Sequence, residues 1–296
     1  MTETPQAPLS LRHRIEDRTI GALVGAMRLL PYKTRVRAMG WIARNILAPL
    51  ALNKRTRANL AYIFPDMPEA EIRAVCRDVA DNFGRAMMEL HSGAEFARFA
   101  GDMPIHGPGL AALDQAHAEN RPVILVTAHY GNYDAWRAAL TARGFRVGGL
   151  YKPMSNPASN ARYVATIESI AKPLFPSDKH GMADMVRFLR AGGMLGMLVD
   201  HYMSHGELLD FLGKPAWTAT SAAKLALKYN ALLVPGYATR NADGFSFAIE
   251  VEEPIPHSDA TTMTQALNDS AAARVMAHKG QWFWLHRRWK NTPDNP

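Results

Sequence analysis

Cysteine is almost missing from this 296-residue chain. Cys76 is the one thiol, so neither a disulfide framework nor a cysteine-built zinc site is available, and a reducing compartment is expected. The apolar stretch Ile20 to Met27 falls well short of the roughly 20 residues that a membrane span takes. The leader MTETPQAPLS has no charged start followed by an apolar run and a cleavage site, so no secretory signal is expected. Also absent are the G-x-S-x-G elbow, the P-loop, H-E-x-x-H and the dinucleotide G-x-G-x-x-G. The first of these absences argues against a serine hydrolase of the usual design. There is no internal repeat, low-complexity tract or flexible linker.

What is present is an ordinary globular composition, 48% apolar, with an uneven charge. Residues 1–60 hold eleven Lys or Arg against three acidic residues, a net +8; with +7 overall, the remainder sums to −1. A basic end on a nearly neutral body fits a polyanionic surface, membrane or nucleic acid, and also a solvated face with no partner. Val36, Met39, Ile42, Ile46 and Leu50 recur at helical spacing from Lys33 to Leu52, with Trp41 beside them. Such a helix can lie in a membrane surface or pack on a core. Residues 1–58 are therefore read as basic amphipathic helices attached to an α/β domain over 59–296.

Within that domain, a long helix from Glu69 carries Ile72, Val75, Cys76, Val79, Phe83, Met87 and Leu90 on one face, which makes Cys76 a core thiol rather than a nucleophile. Strands are expected at 123–128, 145–151, 174–175, 194–199 and 231–240, with helices between them. Phe245, Phe247, Ile249 and Val251 alternate with small or polar residues, as in a half-exposed antiparallel strand. The fold class is α/β: one αβα-type domain whose central mixed, mainly parallel sheet is flanked by helices.

RPVILVTAHYGNYDAW, Arg121 to Trp136, joins a buried strand, a turn and a helix start. His129 falls where the strand stops and Asp134 falls in the first helical turn. Across such a turn the carboxylate can reach one imidazole nitrogen and leave the other for a substrate proton. The bland alternative is a His and an Asp that only satisfy a helix start. With no covalent nucleophile nearby, a His–carboxylate pair suits direct attack of a hydroxyl on an activated carbonyl such as a thioester. Oxyanion donors can come from the helix N-terminus after Gly131, from Asn132, or from a cation such as Arg162 or Lys152. Asp200-His201 with His205 has a metal-like pattern, but no metal is expected there.

Together with NLAYIFP (59–65), YKPMSNP (151–157), LRAGGMLGMLVDH (189–201), FLGKPAWT (211–218) and QWFWLHRRWK (281–290), the H-x4-D of His129 and Asp134 resembles the late, lauroyl/myristoyl-type acyltransferases of lipid A biosynthesis, within the H-x4-D glycerolipid acyltransferases. The resemblance covers about residues 55 to 290 and rests on five blocks in order. It implies transfer of a fatty acyl chain from acyl carrier protein, or acyl-CoA, to a hydroxyl on Kdo2-lipid IVA at the cytoplasmic face of the inner membrane. The implied partners are acyl carrier protein, an anionic glycolipid and membrane lipids; no cofactor and no nucleic acid is implied. Two positions depart from the family pattern: Lys152 stands where Arg is usual, and His201 where Gln usually follows the Asp. The resemblance gives Trp282, Trp284 and Trp289, with Arg287, Arg288 and Lys290, a seat for the glycolipid, although core packing serves those rings equally well. Asp200, Arg240 and Lys214 are candidates for substrate contact or for structure. Competing readings are another lipid acceptor, such as a glycerolipid or glycosylated phospholipid, with acyl-CoA; a thioesterase; and a non-catalytic basic binding protein.

Overall fold

Every residue of the strand Val123–Thr127 is buried, as an unbroken aliphatic run covered on both faces should be. The computed structural model describes residues 11–295 and places this strand in the middle of the sheet. Helices come first: α1 (Leu11–Arg28), α2 (Tyr32–Ile42), α3 (Asn53–Ile63), α4 (Glu69–Ser92) and α5 (Ala94–Gly101), with a π-helical stretch, Ala43–Leu52, joining α2 to α3. Alternating elements follow as β1 (Ile105–His106), α6 (Leu110–Ala118), β2 (Val123–Thr127), α7 (Tyr133–Ala142), β3 (Val147–Tyr151), α8 (Pro157–Glu168), β4 (Leu174–Pro176), α9 (Lys179–Arg190) and β5 (Met194–Leu198). After the hairpin of β6 (Glu207–Phe211) and β7 (Lys214–Thr218) come α10 (Ser221–Tyr229), β8 (Leu232–Arg240), β9 (Phe247–Val251) and α11 (Ala260–Ala277).

The seven-stranded sheet has the order β1-β9-β8-β2-β5-β3-β4, parallel at every pairing except β8 with β9. This is the expected mixed, mainly parallel sheet between helices. Alternation along β2 divides the core: Val123 and Leu125 pack with α5, α6 and α7, while Ile124 and Val126 pack with α9, α10 and α11. β9 is antiparallel and alternates buried with half-buried residues, as its sequence pattern anticipates. β1 and the β6–β7 hairpin were not anticipated; β1 has only two residues, and Pro215 in β7 masks a strand signal.

The N-terminal helices pack on the core with one face and leave an apolar face exposed. α2 packs on α4 through the wholly buried Val36 and through Gly84, where an added Cβ would fall 2.5 Å from the Met39 carbonyl oxygen. The outer face keeps Trp41, Ile46, Leu47 and Leu50 in solvent, Leu50 at 80% exposure. The wider π register accommodates Pro49, which has no N–H for an α-helical bond. Among the described residues, no helix is long and apolar enough to cross a membrane.

A buried ion pair ties α4 to the end of β8. Arg240 donates to both oxygens of the fully buried Glu89, at 2.5 and 2.7 Å, and to Asn82 Oδ1 at 2.8 Å. Arg240 is therefore a structural residue. Removing one partner strands a buried charge, so Glu89→Ala is expected to lower stability in urea unfolding by about 3–5 kcal/mol. A loss below about 1 kcal/mol would show that the pair is dispensable.

Candidate active site

Because β2 and β5 run in parallel with Thr127 opposite Leu198, the residues two past each strand end emerge side by side at the carboxyl edge of the sheet. Those residues are His129 and Asp200. Asp200 Oδ1 accepts from His129 Nδ1 at 2.8 Å, and Oδ2 accepts from the His129 backbone N–H and from Trp282 Nε1, each at 2.9 Å. Burial opposes ionisation of Asp200, but the His129 charge and these hydrogen bonds outweigh it and hold the carboxyl below the usual carboxylate range. An ionised carboxylate only accepts, so in the neutral imidazole it is Nδ1 that carries the proton and Nε2 that has the lone pair.

The expected His129–Asp134 contact is thus corrected. Asp134 lies in the first turn of α7, and its Oδ1 pairs with Arg137, at 3.1 Å from Nε and 2.9 Å from the second guanidinium nitrogen. Local spacing favoured the i+5 carboxylate, whereas a neighbouring parallel strand supplies a closer one. Asp134 still lines the two cavities that meet at His129.

The turn between β2 and α7 is fixed by its backbone. Gly131 has φ +56, and a Cβ there would lie 1.9 Å from the Ala238 carbonyl oxygen, so only glycine fits. Its N–H donates to the Gln281 carbonyl, and Phe283 N–H donates to the His129 carbonyl, both at 2.9 Å. The C-terminal segment therefore forms one wall of the site. Asn132 caps α7 by accepting from Asp134 N–H at 3.0 Å, while its Nδ2 donates to Glu89 at 2.7 Å. These bonds make Asn132 part of the frame rather than an oxyanion donor.

His129, Tyr133, Asp134 and His201 stand where two cavities join. One, of about 320 Å3, lies against α4 and is walled by Val79, Phe83, Met87 and Leu90. The other, of about 480 Å3, runs under α7 and β3 past Leu125, Trp136, Leu140, Val147 and Leu174, and includes Lys152. Thr127 also lines it; its buried hydroxyl has no partner among the described residues, a feature that sequence reading missed because only the fold shows it.

The remaining expectations meet the structure unevenly. Lys152 and Arg287 are exposed. Arg162 lies on α8 against Gly21 of α1 and lines neither cavity, so it is corrected as an oxyanion donor. Arg288 is wholly buried, bonded to the Trp217 carbonyl at 2.6 Å and the Thr218 hydroxyl at 2.5 Å, and burial pushes its pKa down to about 10. Trp282, Trp284 and Trp289 are buried in one aromatic cluster. Core packing therefore accounts for these rings and for Arg288, and the glycolipid seat expected of them is corrected.

His201 stacks on His129 with ring centroids 3.9 Å apart and planes parallel within 1°, and His286 stacks on His201 at 4.0 Å. Burial above all, helped by the neighbouring His129 charge, pushes His201 down to about 3; burial likewise pushes His286 down to about 4. Both rings are neutral near pH 7. Ligand atoms of His129, Asp200 and His201 lie within 4.8 Å of one another, whereas His205 is exposed and apart.

A histidine held by a carboxylate at the carboxyl edge of an α/β sheet, beside two largely apolar cavities, suits an acyltransferase. The comparisons place it more narrowly. The family model for bacterial lipid A biosynthesis acyltransferases matches residues 11–291. The chain is 26% identical over 255 residues to a lipid A biosynthesis lauroyltransferase of Escherichia coli, covering 81% of this chain and 80% of that one. It is 23% identical over 266 residues to a Haemophilus influenzae lipid A biosynthesis acyltransferase, covering 86% and 83%, and 25% identical over 185 residues to a phosphatidylinositol mannoside acyltransferase of Mycobacterium tuberculosis, covering 61% and 58%. This protein belongs to the bacterial lipid A biosynthesis acyltransferase family.

The stacked histidines make stability depend on pH. Unfolded imidazoles take up protons below about 6.5 while folded His201 and His286 resist until about 3 and 4. Unfolding therefore binds protons across that interval, and stability falls as pH drops through it. Replacing both residues by Gln should reduce the proton uptake on unfolding at pH 5 by about two, read from the pH dependence of urea-unfolding free energy. An unchanged slope would mean that the rings titrate normally.

Proposed function

We propose that the protein transfers a fatty acyl chain from acyl carrier protein to a hydroxyl of a lipid A precursor of the Kdo2-lipid IVA type. The observation that carries this reading is the free Nε2 of His129 at the junction of two apolar cavities. Nε2 takes the proton of the acceptor hydroxyl as its oxygen attacks the thioester carbonyl. The tetrahedral intermediate collapses, the carbon–sulfur bond breaks, and the imidazolium returns the proton to the leaving thiolate. Asp200 fixes the tautomer and steadies the charge on the ring. The Thr127 hydroxyl, unpaired and two residues before His129 on the strand, suits the oxyanion. No acyl-enzyme is needed, and Cys76 sits in the core cluster behind the site.

The cavity under α7 suits the donor chain and the one against α4 suits a chain of the acceptor. The exposed Trp41, Ile46, Leu47 and Leu50, beside the basic residues of the N-terminal helices, support peripheral attachment to the cytoplasmic face of the inner membrane. The mycobacterial relative favours one other reading, acylation of a glycosylated phospholipid, for which acyl-CoA is the alternative donor to test.

Incubating acyl carrier protein thioester or acyl-CoA with Kdo2-lipid IVA or a phosphatidylinositol mannoside, and weighing the lipids by mass spectrometry, tests both readings. The expected result is one added acyl chain on Kdo2-lipid IVA from the carrier-protein donor, lost with His129→Ala. Asp200→Asn and Thr127→Val are expected to lower kcat by about 10²-fold or more. Transfer that persists in His129→Ala would end the base assignment, and an exclusive product on the mannoside would replace the acceptor.

A further inference from the structure

We propose that the opening between the α2/π-helical rod and α4 is a binding site for the phosphate of an anionic membrane lipid headgroup. This rests on the reading that the apolar outer face of that rod lies on a membrane. Arg37 and Arg44 of the rod face Arg77 and Arg85 of α4 across a space of about 350 Å3. Asp81 is the acidic side chain in its lining and is held by Arg85, Nε to Oδ2 at 2.5 Å. Asp78, at the edge, feels both Arg44 and Arg77. Four guanidiniums against two carboxylates leave two positive charges, which match a phosphate.

Two further observations point to a missing acceptor. Arg44 Nε is shielded from solvent and has no hydrogen-bond partner among the described residues, a state that costs free energy until an oxygen arrives. Arg37 and Arg85 lie against the Phe245 ring, centroids 5.3 and 5.7 Å away, so their heads are held in place before a ligand comes. Guanidinium forks suit phosphate oxygens in pairs.

The location selects a lipid as the source. Trp41, 58% exposed, lines the opening and continues along the same rod into Ile46, Leu47 and Leu50. With those side chains among the acyl tails, the arginines lie at headgroup depth. The site is separate from His129: no residue lines both this opening and the cavities that meet there.

The test uses the full chain and co-sedimentation with vesicles of phosphatidylcholine, with and without phosphatidylglycerol. Arg44→Gln with Arg77→Gln is compared with Lys54→Gln with Arg55→Gln, which removes the same charge from α3. The expected result is binding to the anionic vesicles that falls by about tenfold or more in the first pair and by less than about threefold in the second. Inorganic phosphate should displace the wild type better than sodium chloride of equal ionic strength. Equal losses in the two pairs would reduce the effect to surface charge and overturn the proposal. So would phosphate binding that depends on Arg44 and Arg77 while vesicle binding does not, since the ligand would then be a free anion. Arg77→Gln alone, at an exposed position, serves the same comparison if the double variant melts early. Absence of vesicle binding by the wild type would overturn the membrane reading and this proposal together, while the mass-spectrometric assay reports separately on acyl transfer.

Discussion

The hydrogen bond from His129 to Asp200 is the constraint on which the rest of the site depends. It is made by sheet register: two parallel strands stop at the same level, and each places a functional side chain two residues further on. The carboxylate accepts the imidazole N–H, the backbone N–H of the same histidine and an indole N–H, so ring orientation and tautomer follow from one buried anion. Two neutral histidines stacked beyond it complete a rigid aromatic column. The imidazole of His129, the base of the proposed reaction, has little freedom to turn.

Around this bond, the helical layers divide the work. α7 caps the turn and supplies Asp134, whose pairing with Arg137 keeps a second carboxylate beside the cavities without contact to the ring. α4 borders the smaller cavity with its apolar face and, through Glu89, reaches both Arg240 and Asn132. The same helix thus links the wall of a cavity to the turn that carries the base. The outer face of the rod lying on α4 is apolar and basic, so one helix also stands between the chemistry and the surface that meets lipid in the proposed function.

Much of this was legible in the chain because it is local. The aliphatic run 123–127, the turn at Gly131 and the helix from Tyr133 each have their own signal, and they fix His129 at a strand end. The partner of His129 was not legible. Asp134 is near in sequence, whereas Asp200 is near only once β2 and β5 are adjacent, and strand order leaves no local mark. The C-terminal tryptophans failed for a different reason: indoles among arginines look the same at a membrane surface and in a core, and only the contacts decide. Here Asn59 of α3 donates to the Trp284 and His286 carbonyls at 2.6 and 2.9 Å and draws the segment inward. The blocks 59–65 and 281–290, far apart in the chain, are two halves of one packing unit.

That packing also sets when the enzyme becomes complete. Gln281 and Phe283 bond to the backbone of Gly131 and His129, and Trp282 donates to Asp200, so the wall of the site and one of the three donors on its anion come from residues that follow every strand of the sheet in the chain. The central strands can form earlier from chain already made. Until this segment docks, His129 lacks one wall of its site and Asp200 lacks one donor. A chain with residues 281–283 undocked would have the sheet and the histidine without a closed site, so closure of the reactive centre reports that this segment has packed.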